Sequence, residues 1–135
     1  MTSNQETFDR VVNHLLTQGK PAYKVSEDYT GCMYRFLDDE QMLMCAAGCL
    51  IPDEKYTEKM ENGIVLTEER DIDECPNCCR LVTKVIGEEG YDLPLVSRLQ
   101  SVHDKWPDHR NINLLKDDLK IVANHFDLIW NFGEN

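Results

Sequence analysis

Four stretches of the chain place apolar residues at three- and four-residue intervals, and each is bounded by a residue that opens or breaks a helix. This pattern restricts the fold more than any other feature, because the spacing builds one buried face per helix. Ser3 with Glu6 forms a capping-box signature, Phe8, Val11, Val12, Leu15 and Leu16 follow on one face, and Gly19 supplies the stop. A second helix starts near Cys78 with Leu81, Val82, Val85 and Ile86 and is expected to end at Gly87. Pro94 opens a third, carrying Val96, Leu99, Val102, His103 and Trp106, with Pro107 as its expected close. Asn113 is the expected cap of the last, whose stripe is Leu115, Leu119, Val122 and Phe126, with Leu128 to Trp130 packing behind it.

Between the first two helices the pattern changes. Gly31 to Leu37 and Gln41 to Cys45 read as strands around a turn at Asp38-Asp39-Glu40, with Pro21 to Thr30 as a connection. Ala46 to Cys49 forms a short helical or tight segment that Ile51-Pro52 must end, and Pro52 to Met60 a turn or short helix. Asn62-Gly63 marks a further turn before Ile64-Val65-Leu66, a third short strand. The expected fold is α+β, mostly helical with four to five helices and a small antiparallel hairpin or sheet. With no repeat, low-complexity stretch or linker, residues 1–135 are expected to be a single domain. A chain of this length has no need of a metal or disulfide to fold.

The six cysteines raise a separate question. Cys75 and Cys78 are two residues apart with Pro76 stiffening the turn, a spacing that aims two sulfurs at one ion. Cys45 and Cys49, four apart, share a helical face and complete a candidate zinc site of Cys45, Cys49, Cys75 and Cys78. Further donors are Cys79, Cys32, His103 and His109. The competing reading makes Cys45 and Cys49 small core hydrophobes within the apolar run from Met42 to Leu50. A thiol redox role at Cys75 and Cys78 is disfavoured by the surrounding acids, which raise a thiol pKa.

Twenty-five acidic residues against fourteen basic ones give a net charge of −11, and the segment 53–74 alone contributes −6 from nine acidic and three basic residues. Asp53, Glu54, Glu58, Glu61, Glu68, Glu69, Asp71, Asp73 and Glu74 form this candidate partner-binding surface. Such a field repels nucleic-acid backbones and anionic membranes and attracts a basic protein surface. The longest apolar run is a few residues, and Met1 to Asn13 lacks the layout of a signal peptide, so a cytoplasmic location without a membrane partner is expected. No phosphate-binding loop, dinucleotide fingerprint, nucleophile elbow or H-E-x-x-H motif occurs. His103-Asp104 beside His109 is the nearest approach to an acid–base cluster, and a histidine on an apolar helix face is more often a core residue.

Tyr34-Arg35 followed by Cys45-Ala46-Ala47-Gly48-Cys49-Leu50-Ile51-Pro52-Asp53-Glu54-Lys55-Tyr56 resembles a pattern in short acidic proteins of bacteriophage and bacterial genomes. Val11-Val12-Asn13-His14-Leu15 and Leu99-Gln100-Ser101-Val102-His103-Asp104 are similar to the same group, so the resemblance covers about half of the chain. The Cys75 to Cys79 knuckle departs from it. The resemblance implies a genetic context and carries no site residues. In that context the expected function is to bind and inhibit or modulate a host protein with a basic surface in the host cytoplasm, charge mimicry of DNA being the narrower form. The alternatives are a zinc-stabilised interaction module, with self-association as a further contact, and a small enzyme acting on a nucleotide or other small ligand.

Overall fold

A computed structural model describes residues 3–27, 30–61 and 77–133, the last segment with side chains from Leu81 onward. The fold is α+β and mostly helical: among the described residues there are four α-helices and two antiparallel two-stranded sheets.

Helix α1 spans Asn4–Gln18. The Ser3 hydroxyl accepts the Glu6 amide proton, and Gly19 ends the helix in a left-handed conformation at φ 75°. Phe8, Val11, Val12 and Leu15 are fully buried, each contributing about 1.5–3 kcal/mol by leaving water. Strands β1 (Tyr23–Val25) and β2 (Thr30–Cys32) pair antiparallel, with Tyr23 opposite Cys32. Strand β1 lies where the sequence suggests only a connection, while β2 takes up the start of the strand expected from Gly31. Three-residue strands leave too little alternation to be read, and one continuous strand from Gly31 to Leu37 is interrupted at Met33 and Tyr34.

Strands β3 (Arg35–Asp38) and β4 (Gln41–Met44) form the expected hairpin. Its two-residue loop, Asp39 and Glu40, has φ of 47° and 73°, the double positive value of a type I′ turn. Ala46 to Cys49 enters a 3-10 turn, Gly48–Leu50, which Ile51 ends in extended backbone before Pro52, as expected. A second 3-10 turn covers Glu58–Met60.

Helix α2 (Asn77–Glu88) runs through Gly87, contrary to expectation. Gly90, at φ 85°, is the true stop: Tyr91 N–H bonds Ile86 O and Gly90 N–H bonds Gly87 O, the paired bonds of a Schellman cap. Helix α3 (Leu93–His109) is capped by Asp92 and continues past Pro107, because a proline in the last turn removes only one ladder bond. Helix α4 (Ile112–His125) is capped by Asn111, whose carbonyl oxygen accepts the Asn113 and Leu114 amide protons, so Asn113 lies inside the helix. Its end is a Schellman cap with Asp127 at the left-handed position, φ 56°. Leu115, Leu119 and Val122 are buried, Phe126 is half-buried, and Trp130 packs edge-on to Phe8 with ring centroids 6.2 Å apart. Glycine avoids the Cβ cost of left-handed backbone, so Glu40→Gly and Asp127→Gly are each expected to raise stability by about 1 kcal/mol, read as a higher urea midpoint at unchanged slope.

Side-chain carboxamides tie these elements together. Gln18 accepts the Met44 amide proton at 2.9 Å and donates to Met44 O at 3.1 Å, while Gln5 makes the same double contact with Ile129 at 2.9 and 3.0 Å. Gln100 accepts the Ala47 amide proton at 2.9 Å.

Candidate functional site

The hairpin positions the candidate surface. Alternation along a strand sends neighbouring residues to opposite faces, so Phe36-Leu37 and Met42-Leu43 must each split. Leu43 enters the core, whereas Leu37 and Met42, paired across the strands, stay 63% and 47% exposed. Adjacent apolar residues in a two-stranded ribbon were the signal in the sequence that one of each pair has to face water.

Leu37 borders a cleft of about 420 Å³ that also takes in Lys24, Met33, Phe36, Tyr56 and Glu58. The floor of this cleft is built from Arg35, Tyr56 and Glu61. The Arg35 guanidinium lies 5.0 Å from the Tyr56 ring centroid, donates to Asp53 at 2.6 Å, and donates to the Ile51 carbonyl. The two carboxylate oxygens of Glu61 accept the Tyr34 and Arg35 amide protons at 2.8 and 3.2 Å, and the Tyr56 hydroxyl donates to the same carboxylate. Burial, followed by this bond to Glu61, holds the Tyr56 phenol well above its ordinary pKa.

The acidic segment therefore divides. Glu61 is part of the scaffold, and Asp53, although 89% exposed at its side chain, is paired with Arg35. Glu54 and Glu58 are exposed, and Glu58 faces the cleft. Glu68, Glu69, Asp71, Asp73 and Glu74 lie outside the described residues, as does the expected strand at Ile64 to Leu66.

Cys45 and Cys49 occupy the turn after β4. The buried Cys45 sulfur accepts the Gly48 amide proton at 3.2 Å, and the Cys49 thiol donates to Ala46 O at 3.1 Å. Burial pushes the Cys45 thiol up and the Cys49 thiol to about 12. Both sulfurs thus take part in hydrogen bonds within the turn itself. Cys75 lies outside the described residues, and Cys78 falls in the first turn of α2 with its side chain outside them.

A different trio comes together: Cys32, His103 and Asp104 bring one donor atom each within 4.8 Å of one another. His103 is fully buried; its Nε2 accepts the Ala22 amide proton at 3.0 Å, so the neutral ring carries its proton on Nδ1, 3.0 Å from Asp104 Oδ1. A cation at Nδ1 would displace that proton, and Nε2, already facing an N–H, has no room to take it. The Cys32 thiol, raised to about 12 by burial and then by Asp104, donates to the same carboxylate. As bonded, the trio does not fit zinc. It joins α3 to the first ribbon.

No protein family matches the chain, and no characterised protein or solved structure is significantly similar to it. Among the described residues no helix is long and apolar enough to cross a membrane.

Proposed function

We propose that this protein is an acidic interaction domain that binds and modulates a host protein through a basic surface on that partner. One observation carries the reading: exposed Leu37 and exposed Glu58 line the same 420 Å³ cleft, together with the Tyr56 ring and the Arg35 guanidinium against it. An apolar contact beside a carboxylate that has no ion-pair partner among the described residues suits an aliphatic stem ending in a cation, the form of lysine and arginine. The acidic net charge would speed encounter with such a surface. The thiols at Cys32, Cys45 and Cys49 are raised in pKa, the wrong direction for nucleophiles, which favours binding over covalent catalysis.

The test places a photo-crosslinking residue at Leu37 and, as a control, at Ile121, which is 62% exposed on α4. The expected result is one adduct with a basic host protein from position 37 only, weakened about tenfold by Glu58→Lys and by raising salt from 0.05 to 0.5 M, numbers set by a desolvated charge contact and its screening. Equal adducts from both positions, or an adduct insensitive to Glu58→Lys, would overturn the reading.

A further inference from the structure

A second, open cleft of about 530 Å³ lies between α1 and β4. Arg10, Asn13, His14 and Thr17 line it from one helical face, opposite Gln41, Met42 and Met44. In a chain with twenty-five acidic residues, no carboxylate among the described residues lines this cleft. Arg10 is fixed by neutral acceptors, donating to Tyr91 Oη at 3.2 Å and to Cys49 O at 3.1 Å. Among the described residues it has no carboxylate partner, so its charge is uncompensated, unlike that of Arg35, Lys20 or Lys55.

We infer that this cleft binds a small organic carboxylate, its anionic head on Arg10 and its apolar body against Met42 and Met44. A guanidinium has five N–H donors, and the two bonds to Tyr91 and Cys49 leave three for a planar carboxylate, whose geometry they match. Because the side chain is already held, less rotamer entropy is lost on binding. Asn13, Thr17 and Gln41 offer neutral hydrogen bonds, and the methionines supply a polarisable wall that adapts to the ligand's shape. The −11 net charge sets the class of anion: a polyanion would meet the acidic field, whereas a monoanion has a single matched contact. His14 donates Nε2–H to Met44 O at 2.9 Å, and burial, with a smaller contribution from Arg10, lowers its pKa, keeping the ring neutral near pH 7. The ligand therefore meets one positive charge. Met42, the cross-strand partner of Leu37, borders this site, whereas Arg10 and Thr17 line this cleft and not the one beside Leu37, so the two readings are told apart at Arg10 and Thr17.

Titration of the full ¹⁵N-labelled chain with sodium benzoate and with hexanoate, against inorganic phosphate and sodium chloride, tests the assignment by amide and Arg10 Nε shifts. Saturable shifts confined to α1 and β4 are expected for at least one carboxylate, several-fold weaker with phosphate and absent with chloride. Arg10→Gln is expected to weaken binding by about tenfold or more, as loss of a charge-assisted contact does. Thr17→Trp, at an exposed helical position, is expected to fill the cleft and abolish binding while leaving the remaining spectrum intact, so the test survives if Arg10→Gln perturbs the fold. No saturable shift with either carboxylate, unchanged binding in Thr17→Trp, or phosphate binding as tightly as the carboxylates would overturn the inference.

Discussion

Gly48→Ala is expected to destabilise the protein by about 3–5 kcal/mol, the upper range for a single substitution, lowering the melting temperature by about 10 °C or more. A Cβ at position 48 would lie 2.0 Å from the Tyr34 carbonyl oxygen and 2.8 Å from its carbon. The obstacle is backbone, so no rotamer change relieves it. That carbonyl also accepts the Cys45 amide proton at 3.2 Å, and the Cys45 sulfur takes the Gly48 amide proton. Moving the 45–48 turn away from Tyr34 to make room pulls on the Tyr34–Cys45 bond. Thermal unfolding of Gly48→Ala beside Ala47→Gly, which adds no atoms, separates steric overlap from loss of helical propensity. A melting temperature within 2 °C of the parent would mean that the two backbones do not approach this closely.

Glu61→Ala is expected to cost about 2–4 kcal/mol, since one carboxylate accepts two main-chain N–H groups and the Tyr56 hydroxyl, and bonds to a charged acceptor are the stronger kind. Glu61→Gln should recover less than half of that, because its amide nitrogen would point a donor at one of the same N–H groups. Glu58→Ala, three residues away in sequence, should leave stability within about 0.5 kcal/mol, as exposed substitutions do. Urea denaturation of the three variants distinguishes a scaffold carboxylate from a surface one. Equal effects at positions 58 and 61 would remove the distinction.

The helices were legible because their buried faces repeat over about two turns, long enough for Phe8 to Leu15 or Leu115 to Val122 to declare a direction. Their ends were less so. Gly87 and Gly90 are both possible stops by residue type, and only the bonds from Gly90 and Tyr91 back to α2 decide between them. Asn111 and Asn113 posed the same choice, decided by which one precedes the first helical turn. Strand β1 was invisible and β2 was merged with β3 because strands of three residues are too short for their alternation to declare a face or an end. At the candidate surface, the split of Leu37 from Phe36 follows from alternation alone. The role of Glu61 does not: a carboxylate that clamps a backbone turn and one that faces solvent look alike in a run of nine acids, and only the position of Tyr34 separates them.

The clamps that Gln18 and Glu61 place on the hairpin have a consequence for how anything else can approach it. In an antiparallel pair, alternate residues turn their main-chain groups outward, and here those belong to Arg35 and Met44 and then to Leu37 and Met42. The Arg35 N–H is taken by Glu61, and both main-chain groups of Met44 are taken by Gln18. A neighbouring strand seeking to extend the ribbon would find its free register confined to the tip, where Asp39 and Glu40 place two carboxyl-bearing side chains in its path. The ribbon is thus guarded against open-ended sheet growth from one copy of the chain to the next, and a chain with this much acid can accumulate without its edges finding each other.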